Sequence, residues 1–156
     1  MSLKKELPEN LKSRIKPCPL DFKRVENFIK RAKKDLSTAG LIETKDLEVA
    51  YQLLYDGMLH SALAYMVSDA VQPDIKGKHK TVVEYVAHAL GKRYESKMQF
   101  FDRMRRRRHQ FLYEPGPHQC TEKEIVDAKS VLEEFIALIT DKIKEKNPQK
   151  EFCFKP

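Results

Sequence analysis

The sequence predicts an all-α protein, an antiparallel bundle of about five helices. Apolar residues recur at helical spacing in successive segments, and no stretch reads convincingly as a strand. Proline or glycine separates the segments, at Gly40, Gln72-Pro73, Gly91 and Glu114-Pro115-Gly116-Pro117. Hydrophobic residues make up 41% of the chain and charged residues 34%, which is typical of a folded, helix-rich protein. A chain of 156 residues is long enough for one domain with a buried core.

The first 20 residues are predicted to form an arm outside the core. Pro8, Pro17 and Pro19 lie there among charged residues and disfavour a continuous helix. At most a short turn is expected near Leu11 to Ile15. The helical domain is expected to begin immediately after this arm.

The domain, residues 21 to 147, opens with two long helices. Asp21 is expected to cap the first, an amphipathic helix that ends near Ala39-Gly40. The second runs from about Asp46 to Val71 and carries two apolar faces, so it lies at the centre of the fold or at a subunit contact. Because this apolar surface exceeds what one bundle face requires, we expect a homodimer.

Three further helices complete the prediction. A short helix covers about Lys80 to Leu90, and a basic helix runs from about Lys92 to Leu112. The capping box Thr121-Glu122-Lys123-Glu124 opens the last helix, which extends to about Lys146. A tail follows over residues 148 to 156; it is expected to be loose, although Phe152 and Phe154 could dock on the body.

The charge balance favours polyanionic partners. The 30 lysines and arginines outnumber the 23 acidic residues and give a formal net charge of +7. Such a surface attracts nucleic acid at low salt, although charge alone does not specify a ligand. The composition therefore admits RNA or nucleotide as a partner.

Cysteine usage and hydropathy argue for a cytoplasmic protein. Cys18, Cys120 and Cys153 are widely spaced, which argues against a disulfide framework and a zinc ribbon. His118 and Cys120 lie two residues apart, but without a second ligand pair they do not predict a metal site. No cofactor is expected. The chain shows neither a signal peptide nor a stretch of membrane-spanning length, so no membrane association is expected.

One arginine of the basic helix is predicted to point inward. At about 100° per residue, Arg108 falls near the middle of the apolar arc of that helix, whereas Arg103, Arg106 and Gln110 fall on the opposite side. A charge in an apolar arc must be paired, reach an edge or line a site. Two readings follow for Arg108: a structural ion pair with Asp56 or Asp69, or a place in a functional site. The arc comprises Tyr94, Met98, Phe101, Met104, Phe111 and Leu112.

The end of this helix, Arg108-His109-Gln110-Phe111-Leu112-Tyr113, resembles the motif of the HEPN domain family. That family carries an arginine, usually followed by Asn, Asp or His, with a histidine or tyrosine shortly afterwards near the end of a late helix. The aromatic and small residues of the segment from Ala50 to Ala62 are similar to the family's long helix. His79, in a loop before a short helix, is similar to another recurrent feature. The resemblance covers roughly residues 22 to 145.

The resemblance implies a phosphate chemistry for these residues. Active relatives are metal-independent endoribonucleases that act as dimers, with the motifs of two subunits meeting at a cleft. An arginine such as Arg108 can hold the scissile phosphate while a nearby base takes the 2′-OH proton. Tyr113, with an ordinary pKa of about 10, is a poor base at neutral pH, so His109 is the alternative. The remaining candidates are binding residues: Arg105, Asp56, His60 and His79.

Two functional hypotheses follow. The first is a nucleotide- or RNA-binding protein of defence or toxin-antitoxin type, with metal-independent endoribonuclease activity as its catalytic form. The second is a non-catalytic dimeric module that docks a partner protein such as a nucleotidyltransferase-type subunit. Salt dependence separates them, because phosphate contacts weaken steeply with salt and apolar docking does not.

Overall fold

The computed structural model describes residues 7–75, 78–114 and 120–154. It confirms the all-α prediction, since helices account for most of the described chain. Two short strands, absent from the prediction, form a small antiparallel sheet. The elements are α1 (Glu9–Lys12), β1 (Ile15–Pro17), α2 (Phe22–Ile42), α3 (Leu47–Ser68), β2 (Val71–Pro73), α4 (Lys78–Leu90), a 3-10 turn (Lys92–Tyr94), α5 (Glu95–Tyr113) and α6 (Glu122–Lys146).

Side-chain caps fix the starts of the long helices. The Asp21 carboxylate accepts hydrogen bonds from the first backbone N–H groups of α2, as predicted. Thr121 and Glu124 form the complete capping box of α6, also as predicted. The end of α2 differs slightly from expectation: the helix passes through Gly40, which is exposed and unobstructed, and ends at Ile42. A single glycine weakens a helix without terminating it.

Helix α3 is the centre of the bundle. It packs chiefly against α2 and α6 and also against α4 and α5. Leu63 and Val67, on the second apolar face, are buried within this one chain. The excess apolar surface that suggested a homodimer is therefore largely covered by the chain's own helices, and the homodimer stays a prediction without that support.

The segment after α3 departs from expectation. The helix ends at Ser68, and Ala70 adopts a left-handed conformation with φ of 58°. The chain then turns into β2, so Gln72 and Pro73 are strand residues and not the helix terminator. The left-handed residue provides the stop, since it breaks the helical hydrogen-bond pattern.

The described part of the N-terminal arm, residues 7–20, contributes to the core, and the prediction that the arm lies outside it was wrong for these residues. Leu7 and Leu11 are buried in the main hydrophobic cluster. The prolines limit α1 to one turn, but the chain continues as β1, whose residues Ile15 and Pro17 pair with the β2 strand. Proline is tolerated at the ends of a short edge strand, so it redirects the chain without releasing it. Arg14 fastens this segment to Thr81 and Glu84 on α4.

The described part of the C-terminal tail docks on the body, so the expectation of a loose tail was wrong and the docking alternative for its phenylalanines is confirmed. Phe154 is buried, and Phe152 meets Phe22 edge-on with ring centroids 5.3 Å apart. Lys33 of α2 donates a hydrogen bond to the Phe154 carbonyl.

Among the described residues, no helix is both long and apolar enough to cross a membrane.

Candidate functional site

Carboxylates hold three of the four consecutive arginines of α5. Arg105 Nε lies 2.9 Å from Asp102 Oδ1, and Arg106 Nε lies 3.4 Å from the other oxygen of the same carboxylate. Arg107 Nε lies 3.1 Å from Glu124 Oε1 on α6. Successive helix residues diverge by about 100°, so these pairs point in different directions. The arginine run is thus mostly neutralised and does not form one basic patch.

Arg108 is held much more loosely. Its Nε lies 3.7 Å from Asp56 Oδ1 on α3, beyond hydrogen-bond distance, and its guanidinium lies 5.5 Å from the centroid of the Tyr55 ring. That Nε is buried and has no hydrogen-bond partner among the described residues. The side chain as a whole is 26% exposed, so it reaches the surface at its far end. Asp56, one of the two predicted partners, is its counter-ion; the other, Asp69, pairs with Lys146.

Tyr55 and His79 form the inner wall beside Arg108. The Tyr55 hydroxyl lies 3.0 Å from His79 Nδ1, and the two rings stack with centroids 5.7 Å apart. Burial raises the pKa of Tyr55 well above its ordinary value, so the phenol keeps its proton. Burial, and then the positive charge of Arg108, lower the pKa of His79. The imidazole is therefore neutral at physiological pH and can act as a hydrogen-bond donor or acceptor.

Asp56 is a carboxylate under opposing influences. Burial raises its pKa, and the charge of Arg108 lowers it. Asp35 and His60 act on it more weakly, the first raising and the second lowering the pKa. The net effect raises the pKa of Asp56 above its ordinary value.

A second polar group lies beside the first, centred on Asp35 of α2. This carboxylate is almost fully buried and accepts hydrogen bonds from Arg31 Nε at 3.1 Å and from His60 Nδ1 at 2.6 Å. The His60 ring also stacks on Phe28, with centroids 6.2 Å apart. His60 and Asp56 are four residues apart on α3, so they occupy the same side of that helix. The two groups form one polar surface across α2, α3 and α5.

Asp35 was missed at the sequence level, although a signal for it existed. It falls on the apolar stripe of α2 with Phe28, Ala32 and Leu36, so it was an acid on an inward face. The same reasoning that singled out Arg108 would have found it. A buried acid must be paired, and Arg31 and His60 are its partners.

The structure brings some predicted site residues together and leaves others apart. Arg108, Asp56 and His79 form one cluster; Arg105 influences the His79 imidazole, and His60 joins through Asp35. His109 and Tyr113 lie on the exposed surface, with their rings 4.6 Å apart, and no described contact joins either to Arg108. Arg103, predicted to lie opposite the apolar arc, faces solvent and lies over the Phe100 ring.

Two surface grooves lie away from this cluster. One of about 740 Å³ lies between α4 and α5, and one of about 490 Å³ lies between α5 and α6. Arg103 and Arg106 line both, and Arg108 lines neither. The Arg108 cluster is therefore a half-buried surface site and not the floor of a deep cavity.

The described residues do not form a metal site, and they do not activate the thiol of Cys120. No group of three or more His, Cys, Asp or Glu side chains converges there on a common point. Burial, followed by the Glu124 charge, raises the pKa of Cys120 to about 12, so its thiol is a poor nucleophile at neutral pH. The suggested companion ligand His118 lies outside the described residues.

Comparison of the chain with protein-family models, with curated proteins and with solved structures found no match. The functional reading therefore rests on the residues and their geometry.

Proposed function

We propose that this chain is a HEPN-like RNA- or nucleotide-binding protein of defence or toxin-antitoxin type, with Arg108 as its principal phosphate contact. One observation carries the proposal: Arg108 alone in the arginine run lacks a carboxylate within hydrogen-bond distance among the described residues. Its three predecessors each have one. A partly exposed arginine whose Nε donor has no hydrogen-bond partner among the described residues is suited to contact with a phosphate.

The neighbours of Arg108 fit this role. Asp56 Oδ1 lies 3.7 Å from Arg108 Nε, and the guanidinium lies over the Tyr55 ring, so both neighbours help to orient it. Neutral His79 adds a donor to the same pocket when Tyr55 donates to its Nδ1, because the remaining ring nitrogen then carries the proton. Such a pocket holds a phosphate by directed hydrogen bonds and needs no metal ion.

Ribonuclease activity is the catalytic form of this proposal. It requires a base at the 2′-OH, and the motif candidates His109 and Tyr113 face outward near the end of α5. In the dimers of active relatives, two such motifs meet at a cleft. Outward-facing His109 and Tyr113 would then act across the dimer axis on a phosphate held by Arg108, with the imidazole as the base. The homodimer is part of this catalytic proposal.

The test is binding and cleavage of labelled single-stranded RNA in the presence of a chelator. Arg108→Ala should weaken retention at least tenfold, since a charged hydrogen bond contributes about 1.5–3 kcal/mol. Arg106→Ala is the matched control. It also removes one positive charge, two residues before Arg108, but Arg106 is already paired with Asp102. Thermal melts must show that both variants remain folded.

Each outcome is informative. Cleavage by wild type and not by Arg108→Ala would establish a metal-independent ribonuclease; binding without cleavage would support the non-catalytic form. Equal losses in the two variants would show that Arg108 contributes only charge. No RNA or nucleotide binding by folded wild type would refute the proposal.

A second candidate function is docking of a partner protein, such as a nucleotidyltransferase-type subunit. It is favoured by exposed apolar residues at one end of the bundle, where α2 and α5 end and α3 and α6 begin. Tyr113 is 69% exposed and Leu41 79%. Docking there should be nearly insensitive to salt and should be lost in Leu41→Ser with Tyr113→Ser, whereas Arg108→Ala should leave it intact. The other exposed apolar residues at this end are Val49, Leu112 and Val126.

A further inference from the structure

The outer face of α2 carries positive charge that the fold leaves uncancelled. Asn27, Lys30, Arg31 and Lys34 recur at helical spacing and line a shallow cleft of about 490 Å³ with Lys33 and Ser37. Within the described part of the chain, no carboxylate forms an ion pair with Lys30 or Lys34. The cleft lining contains no acidic residue.

The acids of α2 do not offset this face, because both are buried on its inner side. Asp35 is committed to Arg31 and His60. Glu26 is buried, lies 4.0 Å from Lys23 Nζ, and accepts the backbone N–H of Cys153. In α5, three arginines of the run pair with carboxylates, whereas no described carboxylate pairs with Lys30 or Lys34 of α2. The outer face of α2 therefore carries accessible positive charge.

This face is continuous with the Arg108 cluster. Arg31 lies at its edge and shares Asp35 with His60, which is one helical turn from Asp56. Asp56 in turn faces Arg108 at 3.7 Å. Along the same edge, Arg24 lies over the Phe28 ring, and that ring stacks on His60. The path from the lysines to Arg108 thus contains cations and planar rings, and also the two carboxylates of Asp35 and Asp56.

We propose that the α2 face is a track for the backbone of single-stranded RNA leading to Arg108. This inference rests on the proposed function, since it names the path of that ligand. Lys30 and Lys34 are separated by about 6 Å along the helix axis, a spacing suited to successive phosphates of an extended strand. The rings of Phe28 and His60, which stack on each other and are partly exposed, lie beside this path. An anionic membrane fits less well, because the lysine face lacks the apolar stripe of an interfacial helix.

The test compares two double variants of equal charge. Lys30→Gln with Lys34→Gln removes two lysines that have no ion pair, whereas Lys97→Gln with Lys123→Gln removes two lysines paired with Glu134 and Asp127. RNA affinity is measured against salt concentration for the full chain, using an unstructured labelled oligonucleotide. The α2 variant should lower the log–log salt slope by about 1.4, at about 0.7 per lost phosphate contact. The control should keep the wild-type slope.

The outcomes separate this inference from the proposal on which it rests. If wild type binds RNA and Arg108→Ala weakens it while the α2 variant behaves as the control, the track is refuted and the Arg108 site stands. If the α2 variant loses affinity and Arg108→Ala does not, the lysines of α2 bind RNA by themselves, and both the phosphate role of Arg108 and a track leading to it are refuted. Failure of folded wild type to bind RNA refutes both. Selective loss of binding to phosphatidylserine vesicles, with RNA binding unchanged, would make α2 a membrane surface and overturn the inference.

Discussion

Gly57 offers a direct test of the packing that supports the candidate site, because it neighbours Asp56 where α3 meets α2 and α6. A Cβ atom at this position would lie 2.6 Å from Leu132 Cδ2, 3.1 Å from Leu132 Cδ1 and 3.4 Å from the Ala32 carbonyl oxygen. Leu132 is fully buried, so its side chain has little room to retreat. Gly57→Ala should therefore destabilise the protein, although alanine is the better helix former.

The magnitude follows from two opposing terms. Alanine in a helix interior gains about 0.5–1 kcal/mol over glycine, and overpacking a close-packed core costs about 1–3 kcal/mol. A 2.6 Å contact with a buried side chain belongs in the upper part of that range. The net loss should be about 1–2 kcal/mol, equivalent to a decrease of about 2–8 °C in the melting temperature for a chain of this size.

Gly40 is the matched control for this substitution. It also lies inside a long helix, but a Cβ there would meet no atom within 4 Å. Gly40→Ala should raise the free energy of unfolding by up to about 1 kcal/mol. The same chemical change is thus expected to have opposite signs at the two positions.

Thermal and urea unfolding, followed by circular dichroism, would measure both effects. A double-mutant cycle sharpens the test: in a Leu132→Ala background, Gly57→Ala should become neutral or stabilising, because the added methyl group occupies vacated space. An increase in melting temperature for Gly57→Ala alone would refute the close packing described here. So would an equal loss in both backgrounds.

Two further predictions concern the N-terminal segment and the site histidine. Leu11→Ala should reduce the free energy of unfolding by about 2–4 kcal/mol in urea titrations, because Leu11 is buried. A change below about 0.5 kcal/mol would contradict the burial of this segment in the core. His79 has a folded-state pKa below 6.5, so its contribution to stability is present above that pH and is lost as the pH falls through the folded-state pKa. His79→Gln should therefore make stability fall less steeply with acidification from pH 7 to 5, and an unchanged slope would contradict the assignment.

Much of the architecture could be predicted because its determinants are local. The Asp21 cap and the Thr121–Glu124 box satisfy backbone groups within a few residues of themselves, so they act in nearly any tertiary context. The prediction for the arm that contains Leu11 was wrong for the opposite reason. Proline ends a helix locally, but whether the following chain pairs with β2 depends on a strand more than 50 residues away.

The candidate site divides in the same way. Periodicity placed Arg108 on an inward arc, and the structure holds it half-buried against Asp56. Periodicity allows the pairs of Asp102 with Arg105 and Arg106, three and four residues apart on α5, but it did not reveal that Glu124 would pair with Arg107, since that contact depends on the position of α6. It also gave no means of recognising that His79 would meet Tyr55.

The sequence by itself determined which segments are helical, where most of them begin, and which arginine lies on an apolar face. These properties follow from hydrogen bonds and periodicities that span only a few residues. Only the tertiary structure decided which charges meet distant partners: it placed Glu124 of α6 against Arg107 and left Lys30 and Lys34 of α2 without carboxylates among the described residues. The physical reason is that screening of a charge depends on distance in space and on burial, and neither quantity can be read from the order of residues along a chain.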